Sequence, residues 1–330
     1  AIKRTGTQSI EKYYRALGIR LFQGTAHFLS PHEITVNRRH LSSESFLIAT
    51  GSRVEIPHIA GIENVQYLTS RSAMDITRPP KSIFIIGGGA TGCEFAELFS
   101  TFGAKVTIAD IAPRLLPHED EETSATLESF MRNERGVGVL TKAKVIAVGN
   151  DGPMIKVTYL RGGEQHVVKA EKILITTNKV PHTDLGLENA GVEYSHRGIE
   201  VNEHLQTTAA HIYAAGDVLG HYMYTHVGVY ESRVVANNLL RKQKVSPDYS
   251  AVPRVTFTTP EIASVGMSES DCLRRDLEIK KAIAPLHLAS RSQRSDAAVS
   301  TPSAVAVRPR LWARSIVDRT MTWLDALSIK

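Results

Sequence analysis

The sequence predicts an α/β fold organised around a parallel sheet, and three adjacent segments predict it. Ile83-Phe-Ile-Ile86 is a short unbroken apolar run, the pattern of a strand buried on both faces. Gly87, Gly89 and Gly92 follow at once with G-x-G-x-x-G spacing, heading a helix over Thr91–Phe102 whose Phe95, Leu98, Phe99 and Phe102 share one face. Lys105-Val-Thr-Ile-Ala-Asp110 is the next strand, with an acid at its end.

Each part of this strand-turn-helix-strand unit has a chemical use. Gly87 permits the tight turn, Gly89 lets the backbone approach a pyrophosphate, and Gly92 lets the helix lie close to the strand. The helix start offers N–H groups and positive potential to phosphates. Asp110 is placed to accept a hydrogen bond from a ribose 2′-hydroxyl. Glycines in such a turn also occur for packing alone. The strand before, the helix after and the acid at the expected distance together assign a dinucleotide. Asp110 favours NAD over NADP, because a 2′-phosphate would meet a like charge; Arg114 nearby moderates that preference.

Bulk properties exclude several classes. At 330 residues the chain has room for two or three domains. With 42% apolar and 22% charged residues it has an ordinary globular composition. No run of eighteen apolar residues predicts a membrane span, and Ala1-Ile-Lys-Arg-Thr5 lacks a signal-peptide core. Two cysteines, Cys93 and Cys272, make no disulfide framework, which fits the cytoplasm. Residues 286–330 carry seven basic and three acidic side chains, and so hold four of the five net positive charges. The body is near neutral, which argues against nucleic acid as a partner. The thirteen histidines show no metal-ligand spacing, so no metal is assigned.

The remaining elements follow in order. Arg20–Gln23, Glu33–Val36 and Ser45–Ala49 are short strand-like segments, and Pro79-Pro80 marks a domain crossing. Glu119–Glu134 is a helix with an acidic start that complements its dipole. Ala143–Val148, Met154–Leu160 and Gln165–Ala170 are β-type, the last two joined at Arg161-Gly-Gly163, and Lys172–Thr176 is a further apolar strand. Ile212–Ala215 is a buried strand stopped by Gly216-Asp217; the Asp is open to a role in the turn or against a polyol. A helix over Thr225–Lys242 follows, with Val229, Val234, Val235, Leu239 and Leu240 as its main apolar residues. Val255–Pro260, Ile262–Val265 and Ile279–Ala284 are strands around a capped helix, Ser268–Asp276. From 286 on there is no Gly and no Glu, yet both tryptophans of the chain, Trp312 and Trp323, are there. This segment is expected to be an atypical tail of different origin, with order and disorder both open.

Taken together, Ile48-Ala-Thr-Gly-Ser52, the Gly87–Glu94 fingerprint, Arg114-Leu-Leu-Pro117, Leu185–Val192, Ile212–Asp217 and Thr258–Gly266 resemble the FAD- and pyridine-nucleotide-dependent disulfide oxidoreductases, of the dihydrolipoamide dehydrogenase and mercuric reductase type. The resemblance covers about residues 15–285. It implies a Rossmann-like NAD-binding domain (78–180) inserted in a partial FAD-binding domain (1–77 and 181–245), then the start of an α+β interface domain (246–285) used for homodimerisation. It implies FAD and NAD as cofactors. Thr50, Gly51, Gly216 and Asp217 would bind FAD, Asp217 at the ribityl chain, and Thr225 and His226 would face the flavin pyrimidine edge. Glu94 would lie near the flavin N5 as a catalytic residue, or serve only as an acid of the first helical turn.

Departures from the family pattern limit what is carried over. Before residue 51 there is no FAD-type G-x-G-x-x-G, nowhere a C-x4-C redox pair, and after Glu278 no His-Pro-Thr-x-x-Glu unit. Ala90 stands at the gate position, and Asn178-Lys-Val-Pro-His182 replaces the usual Gly-Arg-x-Pro-Asn. Cys93 is read as a small packing residue rather than a substitute thiol. The expected function is hydride transfer from NADH to FAD and on to a small disulfide, with the redox cysteines outside this apparently incomplete chain. Hg(II) reduction and a catalytically dead NAD-binding fragment are the alternatives.

Overall fold

The computed structural model describes residues 11–285, 302–307 and 314–318. They fall into two compact units. One takes the chain up to Arg53 and then Val180–Pro247; the other takes Val54–Lys179 and the chain from Asp248 onward.

The second unit is built on a five-stranded parallel sheet. Its strand order is Tyr67–Thr69, Lys172–Ile175, Ser82–Ile86, Lys105–Ala109, Gly138–Leu140. The unbroken apolar run has a simple physical reason. Ile83 and Ile85 face a core shared with the helices, with Phe99, Leu127 and Met131. Phe84 and Ile86 face a second core with Val157, Tyr159 and Ile173. Both faces of the central strand are dry, so no polar position alternates. The second face is covered by the antiparallel ladder Ala143–Asp151, Met154–Arg161, Glu164–Ala170.

The chain from 248 adds Pro253–Thr256 and Glu261–Val265 as an antiparallel pair. Two strands come from the segment expected as an atypical tail: Arg314–Asp318 pairs with Glu261–Val265, and Pro302–Val307 pairs with Lys280–Pro285. The rest of that segment lies outside the described residues. The short helix Glu269–Arg274 carries the expected cap, a reciprocal box between Ser268 and Asp271. The acidic start of the helix Glu121–Asn133 does more than complement a dipole. Asp120 accepts the Glu269 N–H at 2.8 Å, and Glu119 pairs with Arg254 at 3.1 Å.

In the first unit, Ala26–Ser30, Glu33–Val36 and Arg39–Ser42 form an antiparallel sheet. Phe46–Ile48 pairs in parallel with Ile212–Ala214. The helix Thr225–Leu240 packs Val234 and Val235 into a core with Ile48, Leu187, Ile212 and Val218.

The structure corrects four readings. Arg20–Gln23 is not a strand; Leu21 and Phe22 are exposed, so no core face fixes an alternation there. On the fingerprint helix Ala90–Thr101 the buried face is Gly92, Cys93, Phe95, Ala96 and Phe99, whereas Leu98 and Phe102 are exposed. On Thr225–Leu240 the buried face is Val227, Glu231, Val234, Val235 and Asn238, and Val229, Leu239 and Leu240 are exposed. Pro79-Pro80 lies inside the second unit, because Tyr67–Thr69 already belongs to the parallel sheet; the chain passes between units at 53/54.

Candidate nucleotide-binding sites

The second unit gathers Gly87, Gly89, Gly92 and Asp110 at one end of the parallel sheet. Ser82–Ile86 runs directly into Gly87, whose φ of 115° is open to glycine; a Cβ there would lie 2.6 Å from the Thr176 carbonyl oxygen. A Cβ on Gly92 would overlap the Gly87 carbonyl oxygen, so the helix sits on the turn at backbone contact. Gly89 is the helix N-cap and makes no side-chain cap, and the space its Cβ would point into holds no atom within 4 Å. A diphosphate can approach the first-turn N–H groups from that side. The donors and the open approach fit a dinucleotide.

Asp110 follows Lys105–Ala109 and reaches back to the turn. Its Oδ2 accepts the Gly88 N–H at 2.5 Å and its Oδ1 accepts the Ala112 N–H at 2.7 Å. The Gly88 carbonyl in turn accepts the Leu116 N–H at 2.8 Å. The G-x-G-x-x-G spacing does not mark Gly88, yet both its backbone groups tie the turn to the following loop. Arg114 donates to the Pro117 and Glu119 carbonyls, each at 3.3 Å.

Glu94 lies one helical turn on. Burial raises its pKa above the ordinary value; the Phe257 N–H, donated to Oε1 at 3.0 Å, and the charge of Lys179 oppose that rise. Cys93, beside it, is fully buried. Burial, and then the charges of Glu94 and Asp110, push its thiol above the ordinary range, which disfavours the thiolate.

The first unit brings Thr50, Gly51, Gly216 and Asp217 together by pairing Phe46–Ile48 with Ile212–Ala214. The ladder continues as the Ala215 N–H donates to the Ile48 carbonyl at 3.0 Å. Thr50 donates to the His182 carbonyl at 2.8 Å, and the Gly51 carbonyl accepts the His182 N–H at 2.9 Å. Ser52 Oγ donates to Asp217 Oδ2 at 2.6 Å. Thr225 and His226 begin the long helix, with the His226 ring stacked on Tyr224. An oriented carboxylate beside a helix start that carries no side-chain cap fits a polyol and an electron-rich ring edge.

Two residues of this region escaped the sequence reading. In the sequence Ser52 stands out only as the end of the run Ile48–Ser52. Glu231 is 1% exposed; its Oε2 accepts the Gly216 N–H at 2.6 Å, and His221 Nε2 lies 3.0 Å from its Oε1. The signal was present: a glutamate four residues after Val227 and four before Val235, inside an apolar stripe. Among the described residues no group of three or more His, Cys, Asp or Glu is arranged to hold a metal ion, and no helix is long and apolar enough to cross a membrane.

The family profile described as pyridine nucleotide-disulphide oxidoreductase covers residues 1–232. The mercuric reductase of Staphylococcus aureus is 35% identical over 285 residues, covering 86% of this chain and 51% of the relative. The dihydrolipoyl dehydrogenase of Bacillus subtilis is 34% identical over 270 residues, covering 79% of this chain and 57% of the relative. The chain thus spans about half the length of the curated relatives it matches. Among solved structures, the HOCl-induced flavoprotein disulfide reductase RclA of Escherichia coli superposes with a TM-score of 0.81 at 28% identity, over 91% of this chain and 69% of that one. The chain belongs to the pyridine nucleotide-disulphide oxidoreductases, a family of enzymes that use FAD and NAD(P)H.

Proposed function

We propose that the chain works in a flavin-dependent oxidoreductase of the dihydrolipoyl dehydrogenase type, one that passes hydride from NADH to FAD and the electrons on to a small disulfide. The observation that carries this reading is the Gly87–Gly92 turn with Asp110 closed on it. Bound NADH and FAD supply the two-electron chemistry. The residues of this chain supply binding and orientation. Gly89 and the helix start hold the diphosphate, and Asp110 holds the adenosine ribose and disfavours a 2′-phosphate. Thr50, Gly51, Gly216 and Asp217 hold FAD, Asp217 at its polyol chain, with Thr225 and His226 at the ring edge. Glu94, biased by burial toward its protonated form, is placed in the fingerprint helix as a proton-holding group.

The chain's two cysteines are buried and stand at 93 and 272, so they are not the redox pair of this reading. The working form is read as a cytoplasmic homodimer without membrane or nucleic-acid partners; the near-neutral body supports the last point. A second reading, Hg(II) as acceptor, is favoured by the 35% identity to the Staphylococcus aureus mercuric reductase.

The test is the visible spectrum of the purified chain, with calorimetry of NADH and NAD. A yellow protein that releases heat with NADH supports the proposal. A folded protein that binds neither nucleotide overturns it. A colourless protein that binds NADH reduces it to a catalytically silent NAD-binding module. Turnover assays with lipoamide and with Hg(II) separate the two acceptors.

A further inference from the structure

Glu231 occupies a costly position. A buried carboxylate is destabilising unless hydrogen bonds replace its water. Here Oε2 takes the Gly216 N–H at 2.6 Å, and Oε1 faces His221 Nε2 at 3.0 Å. Gly216 has φ of 80°, and a Cβ on Gly228 would stand 3.2 Å from its Cα, so helix and turn meet backbone to backbone. The next residue is Asp217, whose Oδ2 accepts the Ser52 hydroxyl at 2.6 Å.

We propose that Glu231 and Ser52 are positioning residues for Asp217: Glu231 fixes the backbone of the turn that carries it, and Ser52 fixes the direction of its carboxylate. The proposal rests on the reading that Asp217 holds the polyol chain of the flavin. Neither residue touches the flavin in this scheme. Both act through Asp217, and that is what the test must isolate.

The experiment is a double-mutant cycle on the full chain, with FAD affinity measured by flavin fluorescence after removal and re-addition of FAD. Glu231→Ala is expected to weaken FAD binding about tenfold, the value of a hydrogen bond to a charged group. On an Asp217→Ala background the same substitution is expected to cost less than about twofold, because its target is gone. Glu231→Gln keeps a carbonyl oxygen for the Gly216 N–H and is expected to recover most of the loss. Unchanged FAD affinity in Glu231→Ala, or losses that multiply independently of Asp217, overturns the proposal. If Glu231→Ala does not fold, Ser52→Ala goes through the same cycle, and independence from Asp217 there overturns it equally. A wild-type chain that takes up no FAD overturns the underlying reading instead. Hydrogen exchange at the Gly216 amide of the flavin-free protein then reports the bond itself: protection is expected in wild type and its loss in Glu231→Ala, and an unprotected wild-type amide removes the bond.

Discussion

Asp110 Oδ2 accepts the Gly88 N–H at 2.5 Å, so the acid that ends one strand also clamps the glycine turn that follows its neighbour. An acid in this position is expected to read the ribose. Its two bonds to Gly88 and Ala112 give it a second duty, holding the turn shut before a nucleotide arrives. The two duties can be separated with ADP and 2′-deoxy-ADP. Asp110→Ala is expected to weaken both, since each lost bond to a charged group is worth about 1.5–3 kcal/mol. Were the variant to bind 2′-deoxy-ADP as well as wild type does, Asp110 would serve the ribose alone. Calorimetry with the two probes decides.

Gly92→Ala tests the contact between helix and turn. The added Cβ would overlap the Gly87 carbonyl oxygen, and neither backbone can yield without moving the helix. The expected cost is about 2–3 kcal/mol of stability, with NADH affinity down at least about tenfold. Thermal melting and NADH titration check this; a variant that matches wild type in both would show that the close approach is not required.

Glu94 carries a sign that can be worked out. Burial raises its folded-state pKa above the ordinary 4.5, despite the Phe257 N–H and Lys179. A raised folded-state value means the group favours folding below the unfolded pKa and loses that contribution as pH rises through the folded one. Glu94→Gln, which keeps an oxygen for the Phe257 N–H, is therefore expected to be more stable than wild type at pH 7. The gap should close below pH 4.5. Urea denaturation at pH 7 and pH 4 measures it, and a variant less stable at pH 7 contradicts it.

Lys281 gives the opposite dependence. Its Nζ lies 2.5 Å from Glu122 Oε1 and 2.6 Å from Glu269 Oε2. Burial works to raise the Glu122 pKa, but the hydrogen bond and charge of Lys281, aided by Arg114, bring it below the ordinary 4.5. Its contribution is thus present above pH 4.5 and lost as pH falls through the depressed value. Lys281→Met should lower stability at pH 7 by about 1 kcal/mol, a half-exposed pair being worth no more. As pH falls through that depressed value the variant and wild type should converge. A difference that persists at a pH low enough to protonate Glu122 in the folded protein would assign the effect to packing instead.

Much of the fold is legible without coordinates. The run Ile83–Ile86 needs two apolar faces, and any sheet that buries both must be covered on both sides. The spacing of Gly87 and Gly92 is likewise local, since steric overlap at one turn dictates it. The ladder around Arg161-Gly-Gly163 is set by turn chemistry over a few residues. Helix faces were less legible. Leu98, Phe102, Leu239 and Leu240 satisfy a helical period as sequence, but lie on the exposed side. Periodicity tells which residues align, and only the neighbouring elements tell which aligned stripe is covered.

The sequence by itself determined the parallel sheet, the glycine turn and the acid at the end of the adjoining strand, because each follows from backbone sterics or from residues close along the chain. Tertiary structure alone decided that Ser52 meets Asp217, that Glu231 holds Gly216, and that Asp110 closes on Gly88. Those are hydrogen bonds between residues distant in sequence or on opposite sides of a turn. A hydrogen bond depends on a separation of about 3 Å and on direction, and only the packing of strands and helices fixes either.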